Sequence, residues 1–398
     1  MKICLINNLY KPYQRGGAER VIELITQGLK SRGYDVLLIT TCPINRKPTT
    51  CLDSAGQTKN QRQKIFYVRA LYYNLNFLPK FLRLFWHIID MFDIGSYLVV
   101  KKILKKEKPD LVMTHNLKGI GYLIPRAIKS LNIKHIHTLH DIQLLHPSGL
   151  MIYGKEKQVN NIFAKVYANV CKGLFNSPDI IISPSNWLFK MHQDRGFFIK
   201  SRQATLINPT LISSAFITSR EKESVFRFVY IGQVEEHKGI LFLIKVFKML
   251  CEDLENGKCQ LIIIGDGLKL EQAKKLSVNE DKIRFLGKIK HKDLQIEMEQ
   301  FNALIVPSLC YENSPTVIYE ALNTGLPVIA SAIGGIPELV NNTAGILFKP
   351  GNSNDLMQQM KWAIEHKDEL EKISKLGREK IKQYSLDNYI KKLEDMIK

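Results

Sequence analysis

Short apolar runs recur through the whole chain, each followed by a turn bearing glycine or proline and then by a helical pattern. Runs without polar alternation suit strands buried on both faces, and their alternation with helices is the mark of parallel sheets built from βαβ units. In the first half the strands are expected near Ile3–Asn7, Val36–Thr40, Asp110–Met113, His135–Leu139, Ile180–Ser183 and Ala204–Ile207. In the second half they are expected near Phe226–Ile231, Gln260–Ile264, Ile283–Phe285, Ala303–Val306 and Pro327–Ala330. A chain of 398 residues is long enough for two or three domains. The pattern therefore predicts an α/β protein of two doubly wound, Rossmann-like domains. Asn208-Pro209 breaks the alternation, and polar residues from Ser219 to Ser224 precede the next strand, so the domains are expected to span 1–208 and 209–380, with a final helix over 381–398.

Three stretches depart from the minimal alternation. Residues 42–64 are polar and are expected to form a surface loop. Between Phe66 and Lys108, aromatic residues such as Tyr72, Phe77, Phe85 and Trp86 are interleaved with Arg83, Lys101, Lys102, Lys105 and Lys106. That mixture suits a helix lying in a membrane interface. The spacing of Phe77, Phe81, Leu84, Phe85 and Ile88 equally fits an amphipathic helix with its apolar face buried. Residues 353–397 read as two or three charged helices.

Composition enters through charge and cysteine. Residues 1–208 carry 31 Lys and Arg against 12 Asp and Glu, whereas residues 209–398 carry 26 against 26, so the net +19 belongs to the first half. A one-sided field of that kind fits an anionic partner for that half: nucleic acid, an acidic membrane surface or a phosphate-bearing acceptor. The seven cysteines form no C-x-x-C pair, and their odd number cannot all be paired within one chain, which argues for reduced, mostly buried thiols. No run is long and apolar enough for a spanning helix, and Met1–Asn7 has no signal-peptide character, so a cytoplasmic location is expected, with peripheral contact at the inner face of the membrane.

The segment from Tyr311 to Glu338 carries the most chemistry. After the strand Ala303–Val306, Glu312-Asn313-Ser314-Pro315 leads into a helical run, with Ser314 placed as N-cap and Pro315 as first helical residue. The amides of Thr316 and Val317 would then face the carboxyl edge of a parallel sheet, where such folds hold phosphate. Glu320 falls five residues into the helix, about 7.5 Å along its axis at ~1.5 Å per residue, within reach of a sugar hydroxyl. Gly334-Gly335 opens another helix at the same edge, Gly232-Gln233 leads to Lys238-Gly239 after one strand, and Gly265-Asp266-Gly267 follows a second. Four such turns at the strand ends of one domain point to a shared ligand site. In the first half, Arg15-Gly16-Gly17 follows the first strand and His140-Asp141 ends another, at the equivalent edge.

Taken together, Gly16-Gly17, His140, Lys238-Gly239, Gly265-Asp266-Gly267, the E-x7-E pair Glu312 and Glu320, Gly325-Leu326-Pro327-Val328 and Gly334-Gly335 resemble the family 4 retaining glycosyltransferases of GT-B fold. The resemblance runs from about residue 3 to 349 and is most specific at the E-x7-E. It implies two domains facing across a cleft, a nucleoside-diphosphate sugar held mainly by the second, and a glycan or lipid-linked acceptor held by the first. It also implies that the last helices return to the first domain. By the same resemblance Glu320 binds the ribose, Glu312 the donor sugar and Lys238 the diphosphate. The backbone of Gly16, Gly17, Thr316 and Val317, together with Gln233, Asp266, Asn313 and Ser314, completes the donor site, and His140 meets the sugar. Arg15, Asp141 and Gly335 are auxiliary candidates. The family often has arginine where this chain has Gln233, which supplies no charge.

No D-x-D motif and no metal-ligand spacing occur, so a metal-independent transfer without cofactor is expected. Front-face attack is one route, and double displacement with Glu312 as nucleophile is another. An epimerase or phosphorylase-like enzyme on the same fold is the alternative. A nucleic-acid module would explain the charge, but no zinc, RNP or helix-turn-helix pattern is present, so no nucleic-acid partner is expected. A dehydrogenase would need a G-x-G-x-x-G after the first strand, which is missing.

Overall fold

The structure is a computed structural model that describes residues 1–13, 16–44, 64–73, 79–212, 225–254, 259–341 and 343–397. It divides into two compact units, one formed by Met1–Leu150, Lys157–Pro209 and the chain from Tyr389 onward, the other by Met151–Glu156 and Thr210–Asn388.

The first unit is built on a parallel sheet of seven strands: β1 (Lys2–Ile6), β2 (Asp35–Pro43), β3 (Lys64–Ala70), β4 (Leu111–Thr114), β5 (Lys134–Thr138), β6 (Ile180–Ser183) and β7 (Arg202–Thr205). Their order is β3-β2-β1-β4-β5-β6-β7. Central β1 is flanked on both sides, with Leu5 paired to Leu38 and to Met113, which is why its apolar residues are fully buried. The helices are α1 (Gly17–Ser31), α2 (Lys80–Met91), α3 (Ile94–Glu107), α4 (Ile124–Ser130), α5 (Ile162–Phe175) and α6 (Asn186–Gln193). The strand order reverses between β1 and β4, and loops after those two strands therefore diverge around a crevice at the carboxyl edge.

The second unit repeats the logic with six parallel strands: β8 (Phe226–Ile231), β9 (Cys259–Ile264), β10 (Ile283–Gly287), β11 (Ala303–Val306), β12 (Val328–Ser331) and β13 (Ile346–Phe348). Their order, β10-β9-β8-β11-β12-β13, reverses between β8 and β11. The helices are α7 (Ile240–Asp253), α8 (Leu270–Leu276), α9 (His291–Met298), α10 (Thr316–Asn323), α11 (Ile336–Leu339), α12 (Ser353–Glu365) and α13 (Lys367–Lys382); the last helix, α14 (Leu386–Ile397), belongs to the first unit from Tyr389 onward. Phe228, Phe247, Leu261 and Ile305 lie in a fully buried core that α12 closes with Leu356 and Met360. Removing such side chains from water stabilises the unit by roughly 1.5–3 kcal/mol each.

Several local expectations differ from the structure. Strands β3 and β13 arise where none was expected. The first is an edge strand with mixed exposure and the second has three residues, so neither carries a long apolar run. Met151–Glu156 groups with the second unit because Ile152 bridges Cys310 and Met151 accepts the Tyr311 amide at 2.9 Å. The reading of a buried amphipathic helix does not hold for α2: Phe85 is 60% exposed and Ile88 is 49% exposed. Phe77 and most of the expected 42–64 loop lie outside the described residues, as do the side chains of Phe81 and Leu84. Of the cysteines described, all are free and Cys251 alone is not fully buried.

Candidate active site

The site of the second unit is assembled by two loops that leave β8 and β11, the strands on either side of its order reversal. After β8 the chain turns at Gly232, runs through Gln233 to a short 3-10 turn at Glu236–Lys238, and enters α7 from Gly239. Gly239 has φ +79°, and a Cβ there would lie 1.8 Å from the Pro307 carbonyl oxygen, so only glycine lets the two loops approach. They are then tied by backbone: the His237 carbonyl accepts the amides of Leu309 at 3.0 Å and Cys310 at 3.1 Å.

This clamp brings Lys238 to Glu312, 74 residues apart, with Nζ donating to Oε1 at 2.5 Å. The Ser308 hydroxyl donates to the same oxygen at 3.0 Å. The Lys238 side chain is 26% exposed and that of Glu312 is 15% exposed. Burial pushes each group toward its neutral form, but the partner's charge wins in both: Glu312 is held below the usual carboxylate range and Lys238 above the usual ammonium range. The result is a partly shielded, fully ionised pair at the crevice edge.

Helix α10 begins four residues beyond Glu312. Its N-cap is Pro315 in extended conformation, and Ile318 donates the first amide bond, to the Pro315 carbonyl at 3.1 Å. Ser314 therefore does not cap the helix; its hydroxyl is hydrogen-bonded to Tyr319 instead, which corrects the expected N-cap by one residue. The amides of Thr316 and Val317 precede that first bond, with the positive end of the helix dipole behind them. Asn313 is buried, and Glu320 is half-buried on the second turn.

The glycine turns support this loop rather than forming a separate pocket. Gly335 donates its amide to the Glu312 carbonyl at 2.8 Å, and a Cβ on Gly334 would lie 2.2 Å from that oxygen. Gly265 packs against the Gly232 carbonyl, where an added Cβ would lie at 1.8 Å. Asp266 is exposed and accepts the Gly267 amide at 2.7 Å, while Gln233 is exposed with its carbonyl taken by the Tyr230 hydroxyl at 2.6 Å.

In the first unit, Gly16 precedes α1 and Gly17 is its first residue; the Gly16 amide is already engaged by the Glu19 carboxylate at 2.8 Å. Arg15 lies outside the described residues. His140, beyond β5, has its Nε2 3.0 Å from Nδ1 of His115, which directly follows β4. Burial lowers His140 to about 4 and His115 well below its ordinary value, so the two neutral rings share one proton across that contact. Whichever nitrogen carries it, His115 fixes the tautomer that His140 offers. Asp141 does not pair with His140 here: its two oxygens accept the backbone and side-chain amides of Gln143, each at 2.7 Å. Sequence reading missed His115 and Ser308. Their only signal was position, each lying just after a strand beside an order reversal.

A family description of this geometry comes from sequence models. The model for "Glycosyltransferase Family 4" matches residues 15–209, and that for "Glycosyl transferases group 1" matches residues 214–380. The chain belongs to this glycosyltransferase family. Among relatives of the glycosyltransferase, an uncharacterized 42.6 kDa protein in the cps region of Klebsiella pneumoniae is 26% identical over 354 residues, covering 87% of this chain and 90% of that protein. The N-acetyl-alpha-D-glucosaminyl L-malate synthase of Bacillus anthracis is 22% identical over 281 residues, 67% of this chain and 68% of that one. Among solved structures, sucrose-phosphate synthase from Thermosynechococcus elongatus aligns with TM-score 0.74 at 17% identity, covering 100% of this chain and 98% of that one. Anabaena HepE, solved in complex with UDP, aligns with TM-score 0.72 at 18% identity, covering 100% and 99%. These likenesses establish the GT-B fold for the chain.

Proposed function

We propose that this glycosyltransferase moves a sugar from a nucleoside-diphosphate sugar to a hydroxyl of a glycan or lipid-linked saccharide, with retention and without a metal ion, in the assembly of a bacterial surface polysaccharide. The observation that carries the donor assignment is the Lys238–Glu312 pair, held at 2.5 Å beside the strand-order reversal and four residues before α10. Lys238 has three donors and spends one on Glu312, so two remain for the diphosphate, together with the Thr316 and Val317 amides. Lys238, Ser308 and Cys310 all contact Glu312 at Oε1, and Oε2 would accept a hydroxyl of the donor sugar. Glu320 would hold the ribose. HepE, with UDP in its solved complex, and the Klebsiella protein of the cps region support the donor class and the setting, respectively.

In the step we infer, the bond from the anomeric carbon to the β-phosphate oxygen breaks and a bond to the acceptor oxygen forms on the same face. The acceptor proton passes to the departing phosphate. Lys238 and the α10 amides stabilise the charge that develops on the leaving group, where preorganised donors act most strongly. His140, neutral and oriented by His115, would hydrogen-bond the donor sugar.

A thermal-shift panel of UDP, GDP, ADP, CDP and NAD tests this reading. A nucleotide at ~100 times its dissociation constant should add about 2.7 kcal/mol of stability. One nucleoside diphosphate is expected to respond and the response to be lost in Glu320→Ala. Silence to all five in folded protein would contradict it.

A further inference from the structure

The exposed surface of the first unit carries an unpartnered apolar face, and we propose that it docks the chain onto an anionic lipid bilayer. On α2, Leu82, Phe85, Ile88 and Ile89 are exposed, and Phe92 follows directly after the helix, also exposed. Positions 82, 85, 89 and 92 lie three or four apart and so share one stripe, whereas Trp86, Asp90 and Met91 on the other side are buried. The amphipathic helix therefore turns much of its apolar side outward. The same exposure continues on α3 with Ile94, Leu98 and Val99, which are 64%, 59% and 46% exposed. Further along this helical layer, where α3 packs on α4 and α4 on α5, Ile162 and Val166 of α5 are 82% and 58% exposed. The stripe on α2 and α3 is the larger exposed apolar surface, Ile162 and Val166 forming a second one beyond the charged outer face of α4, and exposed apolar surface of this kind marks an interaction site.

Charge selects the partner. Helices α2 to α5 contain two acidic residues, Asp90 and Glu107, and both are buried. Glu107 is moreover neutralised by Lys2 at 2.8 Å and by Lys64. Asp93, between α2 and α3, spends its carboxylate capping α3 through Ser96. Against these stand exposed cations on three helices: Lys102, Lys105 and Lys106 on α3, Arg126 and Lys129 on α4, and Lys165 on α5. A protein partner of ordinary surface would be matched by mixed charges. An apolar stripe on helices that themselves expose only positive charge is instead complementary to acyl chains beneath anionic headgroups. No helix among the described residues is long and apolar enough to cross a membrane, so contact is with the surface. This inference concerns where the enzyme works and stands whether or not the donor assignment does.

Co-sedimentation of the full chain with vesicles tests it without any donor present. Vesicles of phosphatidylglycerol and phosphatidylethanolamine should bind the chain roughly tenfold more tightly than pure phosphatidylcholine, and salt should weaken but not abolish the binding. The variant Phe85→Ser/Ile89→Ser/Leu98→Ser removes exposed apolar groups alone and should lose about tenfold or more in partition while keeping the wild-type unfolding temperature. Lys102→Glu/Lys105→Glu should shift binding toward salt insensitivity. The proposal is overturned by absence of vesicle binding at low salt, or by equal partition of the triple variant. A wild-type dimer in light scattering that the triple variant abolishes, without vesicle binding, would assign the face to a second copy of the chain instead.

Discussion

Replacing Lys238 by methionine keeps most of the stem and removes the charge, leaving Glu312 buried opposite an apolar group. At about 4 Å and an effective dielectric near 20, a pair of unit charges attracts by about 4 kcal/mol before the cost of dehydration. Breaking a fully buried pair costs roughly 3–5 kcal/mol. Here the partners retain 26% and 15% exposure, and Ser308 still donates to Glu312, so the cost should fall to about 2 kcal/mol. The sign with pH follows from the shifts. Glu312 sits below its ordinary 4.5, so its contribution is present above that value and is lost as pH falls through the depressed one. Lys238 sits above 10.5, so its contribution is present below that value and is lost as pH rises through the elevated one. In Lys238→Met, burial of Glu312 is no longer opposed by that charge, its carboxyl rises, and the stability gap to wild type narrows as the solution is acidified. The assay is urea unfolding of the second unit followed by Trp362, in a chain whose other two tryptophans, Trp86 and Trp187, are phenylalanine. Glu312→Gln and the double variant complete a cycle with an expected coupling of about 1–2 kcal/mol at pH 7. Additivity within ~0.5 kcal/mol, or a gap that widens on acidification, would refute the electrostatic account of this pair.

Other consequences are local. Gly334→Ala should cost more than about 2 kcal/mol, because its Cβ would meet the Glu312 carbonyl at 2.2 Å, whereas Gly33→Ala, at φ +82° with open space around it, should cost roughly 1–2 kcal/mol; equal effects would remove the steric argument. His115→Phe deletes the contact that fixes the His140 tautomer and should lower kcat/KM about tenfold, the equivalent of one hydrogen bond of ~1.4 kcal/mol; activity within twofold of wild type would disconnect the two rings. Burial raises the Asp90 carboxyl to about 7 against the opposing Gly119 amide, so its contribution to stability is complete below its unfolded value of 3.8 and is lost as pH rises toward 7. The unfolding temperature of wild type should therefore decline relative to Asp90→Asn across that window, and parallel curves would contradict the assignment.

Much of the fold was legible because burial on both faces of a parallel strand writes an uninterrupted apolar run. Ile180–Ser183, Phe226–Ile231 and Ala303–Val306 begin and end where those runs do. β3 was not legible, since Lys64–Ala70 at the sheet edge mixes exposed and buried residues and looks like part of the aromatic, basic stretch that follows. In the site, the turns after β8, β9 and β12 were readable as glycine-bearing strand ends, and the one after β11 as a proline-flanked loop leading into a helix. The Lys238–Glu312 contact was not, because it depends on Gly239 passing under Pro307 and on the His237 carbonyl taking two amides across 72 and 73 residues. Ser314 illustrates a competition that propensity does not resolve: a good N-cap type is drawn instead to the Tyr319 hydroxyl. His115 was invisible for a related reason, as its partner lies 25 residues on and meets it through the pairing of β4 with β5.

The donor site proposed above depends most on recognition of the diphosphate by Lys238. Calorimetric titration of the nucleoside diphosphate found in the thermal panel, set against the corresponding monophosphate, tests it directly in wild type and Lys238→Met. Wild type should prefer the diphosphate by about tenfold or more, equivalent to ~1.4 kcal/mol, and the variant should lose that preference. The same preference in both proteins would contradict it.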